Sequence, residues 1–284
     1  MPRRMAPRRL TPRLLAAAFL VLLCAPVALG ATSSGFSQTV ARWGAFSTQA
    51  TDWFCTAAVV QHVRNLATGE ARHGGEQQAD LYQYGRAHNL FAYPTKGVDP
   101  QGTEAMLEYA VPGSDWRWIR THSLQSTLIM AARRMRATGL PVVLFVAGGK
   151  HVWTMNGYTA TRDPASGKKF TVTHVRISGP FYPKQKARHG WFDLPPNSVR
   201  SARRLAEAFF PYREKQAFNE YRFTPWNGYF VAVVPWTYDP PDPDPDTDPG
   251  PTPTPTPKPN PEPTTTPSVE PSLPPDQPPT EAPD

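Results

Sequence analysis

An α+β domain between two ends of unusual composition is predicted, on three observations. Helical spacing dominates the text from Cys55 to Thr138. Buried-strand and alternating runs dominate from Pro141 to Val234, and beyond Tyr238 the chain is Pro, Asp and Thr with nothing to build a core. Helices first and strands afterwards argue for N-terminal helices packed on an antiparallel sheet, not for alternating βαβ units.

Arg3, Arg4, Arg8, Arg9 and Arg13 open the chain, and the apolar run LLAAAFLVLLCA follows them. Ala28 and Gly30 are the small residues expected at a cleavage site. Residues 1–30 therefore read as a secretory signal removed after Gly30. The apolar run is shorter than the roughly 20 residues of a membrane span, so no transmembrane segment is expected in the mature protein. Arg8-Arg9 followed by LTPR fits a twin-arginine signal poorly, and Leu23 before Cys24 fits a lipid-attachment site poorly, which leaves ordinary export.

Residues 31–238 form the expected globular domain. Residues 31–46 read as a polar lead-in with one aromatic patch. From Cys55 the residues Ala57, Ala58, Val59, His62, Val63 and Leu66 follow helical spacing, and Gly69 sits where that helix would stop. A second helix is predicted over Gln77 to Asn89, a turn at GVDPQG, and a short helix over Thr103 to Ala110. Leu124 to Thr138 is the clearest helix, with Leu124, Leu128, Ile129, Ala132 and Met135 on one face, Ser123 as cap and Gly139 as stop. PVVLFVA then reads as a buried strand, GGK as a tight turn, HVWTMNGYTA as a second strand, DPASGKK as a hairpin loop and FTVTHVRIS as a third strand. A helix over Ser198 to Phe210, capped by Asn197 or Ser198, and a closing strand over Tyr229 to Val234 complete the domain.

Residues 239–284 cannot bury enough apolar surface to fold and are expected to be disordered, with polyproline II character. They read as a spacer or a wall-associating segment. The domain holds 24 Lys and Arg against 13 Asp and Glu, a net charge of +11, while the tail carries a net charge of −9. A basic domain suits anionic polymers, but its charges are scattered and no nucleic-acid motif accompanies them. Cell-wall polymer remains a candidate partner, and nucleic acid is not expected. No His, Cys or carboxylate cluster has metal-ligand spacing, so neither metal nor cofactor is expected.

Once the signal is removed Cys55 is the sole cysteine, so no intramolecular disulfide is available. An unpaired cysteine in an exported chain invites oxidation unless it is buried or employed. Cys55 opens a helix, where the partial positive charge and free N–H groups favour a thiolate and can receive an oxyanion. Gln49, six residues earlier, can supply a second oxyanion donor. A Cys nucleophile needs a base that the fold brings near. Of seven histidines, His62 lies about two turns along the same helix, and His73, His88, His122 and His189 lie in polar text. His151 opens a strand directly after the glycine turn, where its ring could face a helix start, and His174 is the reserve in mid-strand. Trp53 suits either a cleft wall or the core, and Trp153 suits the core.

Gln-x5-Cys at a helix start, followed by PVVLFVAGGKHVWTMNGY, resembles the papain-like cysteine peptidases, specifically the bacteriocin-processing type and its secreted bacterial relatives. ADLYQYGRAHN and KGVDPQG also resemble segments of those relatives, and the likeness spans about Gln49 to Pro180. The resemblance implies a papain-like fold and hydrolysis of a peptide or protein substrate, with Cys55 as nucleophile, Gln49 in the oxyanion hole and His151 as general base. Those relatives carry an Asp, usually Asp-Pro, at the end of the strand after the His hairpin; here Gly179-Pro180 stands there. Asp163-Pro164 falls in the hairpin turn and reads as turn chemistry, and Thr56-Ala57 replaces the usual Gly-Pro after the Cys. The missing carboxylate leaves a second reading, a catalytically weakened module that binds peptides or cell-wall polymer. A third reading is another acyl transfer on the same pair, such as cell-wall amide hydrolysis.

Overall fold

The computed structural model describes residues 35–92, 96–184, 193–213 and 224–239. Residues 1–30, read as an export signal, residues 240–284 of the expected tail and His189 lie outside the described residues. In chain order the elements are β1 (Phe36–Thr39), α1 (Cys55–Thr68), α2 (Gly75–Ala87), α3 (Pro100–Ala110), β2 (Ser114–Thr121) and α4 (Leu124–Thr138). They continue with β3 (Val142–Val146), β4 (His151–Ala160), β5 (Val172–Ser178), β6 (Ser198–Ser201), the single turn α5 (Ala202–Leu205) and β7 (Phe230–Tyr238). The architecture is α+β, with helices packed on an antiparallel sheet.

The sheet runs β2-β7-β3-β4-β5-β6, and β1 pairs with the far half of β4. Every pairing is antiparallel. Both faces are covered, which is why β3 and β7 read as unbroken apolar runs. Val143, Phe145, Val231 and Val233 join Ala57, Val60, Val63, Met106 and Leu107 on the face that carries α1 and α3. Val142, Leu144, Ala232 and Val234 join Leu128, Ala132 and Met135 of α4 on the other.

Helix α4 spans the predicted residues: Ser123 Oγ accepts from Ser126 N, and Gly139 takes a φ of 71°. Gly69 ends α1 in the same left-handed region, with a φ of 80°. Helix α1 is enclosed on several sides. Its polar residues Gln61, His62 and Asn65 are buried and each is used. Gln61 bonds Gln77 and Gln78 of α2, Asn65 bonds the carbonyls of Ala45 and Arg72, and His62 Nδ1 lies 3.2 Å from Thr154 Oγ1 on β4. The outer edge of β2 is closed by α3, whose Glu108 accepts from Trp116 N at 3.3 Å and whose Glu104 accepts from Trp118 N at 2.5 Å.

Two regions depart from expectation. Residues 198–210 were predicted as one helix, but Ser198–Ser201 is strand β6, paired with His174–Ile177 of β5, and only Ala202–Leu205 is helical. The open edge of β5 satisfies that backbone, and Ser201 rather than Asn197 or Ser198 supplies the cap, accepting from Arg204 N. Within the polar lead-in, Phe36–Thr39 is a strand because β4 outruns β3 and leaves Gly157–Ala160 to be paired.

Candidate active site

Cys55 is the first residue of α1. No side chain caps that helix, so its first-turn N–H groups are not claimed by a capping residue. The thiol is free and half-buried. On the opposite wall His151 is the first residue of β4, directly after a tight turn in which Ala147, Gly148 and Gly149 have φ of 53°, 65° and 90°. Gly149 is needed twice over, since its φ is positive and a Cβ there would lie 2.3 Å from the Tyr212 ring. Ala147 N donates to Ala208 O and Arg213 N to Gly148 O, so the turn is pinned from the 208–213 segment.

The fold brings Cys55 and His151 together, the thiol near enough to help hold up the ring's pKa. Behind the ring stands a carboxylate that the sequence reading did not single out. His151 Nε2 lies 2.9 Å from Asp193 Oδ2 and 3.1 Å from Oδ1. Trp153 Nε1 donates to Asp193 Oδ1 at 2.6 Å, and Phe181 N donates to Oδ2 at 2.7 Å. The Asp193 side chain has no exposed surface. With Nε2 committed to the carboxylate, Nδ1 is the ring nitrogen left for the thiol.

The place of Asp193 resolves the gap at Gly179. A Cβ built on Gly179 would lie 2.2 Å from Asp193 Cγ and 2.5 and 2.6 Å from its two oxygens. The carboxylate of Asp193 fills the volume that a side chain at 179 would take. Gly179 is therefore a requirement of this arrangement, and the strand end is not where this chain's carboxylate originates. The local text WFDLPP, an acid flanked by apolar residues, was the one available signal that Asp193 is buried.

The electrostatics follow from these contacts. Burial pulls the His151 pKa down, but the Asp193 hydrogen bond, then that of Cys55, and the charges of both hold it up to about 10. Burial likewise opposes the charge on Asp193, yet the His151 hydrogen bond and charge, with the Phe181 and Trp153 N–H groups, keep its carboxyl below its ordinary value.

The remaining candidates divide. Gln49 is 2% exposed; its Nε2 donates to Thr51 O at 2.7 Å within its own turn, and its Oε1 is buried without a partner. Gln49 N donates to Pro180 O at 2.7 Å, which ties the Gln49 turn to the Gly179 segment. Trp53 is partly exposed beside Cys55, with Lys96 Nζ 5.3 Å above its ring. Trp153 is core, as read, and also anchors Asp193. Asp163 does turn chemistry: it accepts from Ala165 N and pairs with Arg136 at 3.0 Å. His174 is exposed on β5, and its Nδ1 lies 3.2 Å from Thr173 Oγ1. Among the described residues no group of three or more His, Cys, Asp or Glu is placed to hold a metal ion, and no helix is long and apolar enough to cross a membrane.

A half-buried thiol at a helix start with no capping side chain and an imidazole oriented by a buried carboxylate can together carry out nucleophilic acyl transfer. No family model matches the chain, and no curated protein matches it. Among solved structures, the crystal structure of UfSP from C. elegans is similar at a TM-score of 0.38 and 14% identity, over 73% of this chain and 36% of that one. The present chain thus spans 36% of the length of that protein.

Proposed function

We propose that this chain is a secreted cysteine peptidase of papain-like type that hydrolyses peptide bonds through Cys55, His151 and Asp193. The observation that carries the reading is the His151 ring held between a buried carboxylate and the only free thiol of the described residues. Cys55 passes its proton to His151 Nδ1, and the thiolate attacks the scissile carbonyl carbon. The oxyanion is received by the first-turn N–H groups of α1 and by the Gln49 amide, which keeps one N–H beyond its bond to Thr51. His151 returns the proton to the leaving amine. Water, deprotonated by His151, then attacks the thioester and releases the acid and the thiol. Asp193 holds Nε2 and stabilises the imidazolium formed at each transfer.

Asp193, filling the space beside Gly179, supports this reading over that of a weakened module. In this reading residues 1–30 export the chain and residues 239–284 act as a spacer. The test is labelling of the purified protein with iodoacetamide, mapped by mass spectrometry, alongside cleavage of a mixed-sequence peptide library. Cys55 is expected to label, His151→Ala to slow labelling at pH 6 at least about tenfold, and Cys55→Ala to abolish cleavage. Labelling indifferent to His151→Ala, with no peptide cleaved, would contradict the proposal.

A further inference from the structure

A cleft of about 1420 Å³ opens at the other end of α1 from Cys55, lined by the end of α1, the start of α2, the end of α3 and Tyr238. Arg64, Ala67 and Thr68 of its wall lie nine to thirteen residues along the helix from Cys55, about 14–20 Å at 1.5 Å per residue. The cleft exceeds the roughly 300–1,000 Å³ of a small-molecule pocket, so its volume suits a stretch of polymer. Tyr109, on its wall, is 61% exposed. One face of Tyr109 stacks on Tyr84 at 4.4 Å and 18°, and Tyr84 stacks in turn on His88 at 4.1 Å and 22°. The stack fixes the plane of Tyr109 and leaves its second face open.

The polar wall is mixed in sign. Arg64 and Arg72 both pair with Glu70 at 2.9 Å, and Glu76 and Asp80 complete it. Three carboxylates on the wall disfavour a polyanion. Helix ends make most of the wall, and β2 beside it has its edge donors taken by Glu104 and Glu108, so an extended peptide finds no strand edge to pair with. The fixed aromatic face of Tyr109 beside planar charged groups matches the two surfaces of a pyranose: apolar C–H faces that stack and hydroxyls that both donate and accept.

We propose that this cleft is a binding site for an extended β-linked hexopyranose polysaccharide, separate from the Cys55 site and independent of its chemistry. The test is isothermal titration calorimetry of the full chain with chitohexaose and with cellohexaose, each repeated on Tyr109→Ala and on Arg72→Ala. Both residues are exposed, so neither substitution threatens the fold. At least one hexasaccharide is expected to bind, with affinity reduced about tenfold or more by Tyr109→Ala, the size of one lost stacking contact, and less by Arg72→Ala. Trp53→Ala, at the other end of α1, is expected to leave the affinity unchanged. Failure of both hexasaccharides to bind, binding indifferent to Tyr109→Ala, or displacement of the sugar by library peptides would overturn the proposal.

Discussion

Two histidines, both buried and both touching β4, have been driven in opposite directions. His62, on α1, packs edge-on to Phe46 with a centroid separation of 5.5 Å and meets only the neutral hydroxyl of Thr154 on β4. Burial lowers its pKa to about 3. His151, three residues before Thr154 on the same strand, is as well buried, yet its pKa is pushed up to about 10. The difference is a carboxylate and a thiol. Desolvation opposes the charged ring in both places, and only Asp193, helped by the Cys55 thiol, offsets it. Burial alone makes a structural histidine; burial beside a paired carboxylate makes an ionisable one.

The largest expected effect comes from removing that carboxylate. Asp193→Ala takes from His151 the largest of the supports that offset its burial, and peptide cleavage is expected to fall about 10²–10⁴-fold, the range of general acid–base assistance. Loss of one partner from a buried pair should also cost about 3–5 kcal/mol in chemical denaturation. Gly179→Asp alone should be comparably damaging, because two carboxylates cannot share one volume. Combining Gly179→Asp with Asp193→Ala returns a carboxylate to that space from the strand end, and cleavage is expected to recover at least tenfold over Asp193→Ala. No recovery would mean that the shared volume is a packing coincidence.

A smaller effect appears in stability against pH. The His151 pKa is raised, so its contribution is full below pH 6.5 and is lost as pH rises toward 10. The His62 pKa is lowered, so its contribution is present above pH 6.5 and is lost as pH falls toward 3. Stability should therefore peak near neutrality, with each limb no steeper than about 1.4 kcal/mol per pH unit per proton. Urea midpoints measured from pH 4 to 9 check this: His62→Leu should flatten the acid limb, and Asp193→Asn the alkaline one.

Much of the fold was legible because its punctuation is local. Ser123 and Gly139 bound α4 as read, Gly69 ends α1, and β4 spans His151–Ala160 as read. The failures lie where a distant partner decides. Residues 198–201 carry helix-like spacing, but the free edge of β5 recruits them as a strand. The same holds for the site. Cys55 and His151 announce themselves through a helix start and a glycine turn. Asp193 lies fourteen residues beyond Gly179, and only the folded chain puts its carboxylate where the residue-179 side chain would be.

The most direct test of the account is an NMR titration of the His151 ring, assigned by His151→Gln, in the Cys55→Ser protein with and without Asp193→Asn. With Asp193 present the ring is expected to remain imidazolium through pH 8, while Asp193→Asn drops its titration below that of free histidine, as at His62. A His151 ring that titrates near pH 6.5 in both proteins would contradict the claim that Asp193 sets its charge.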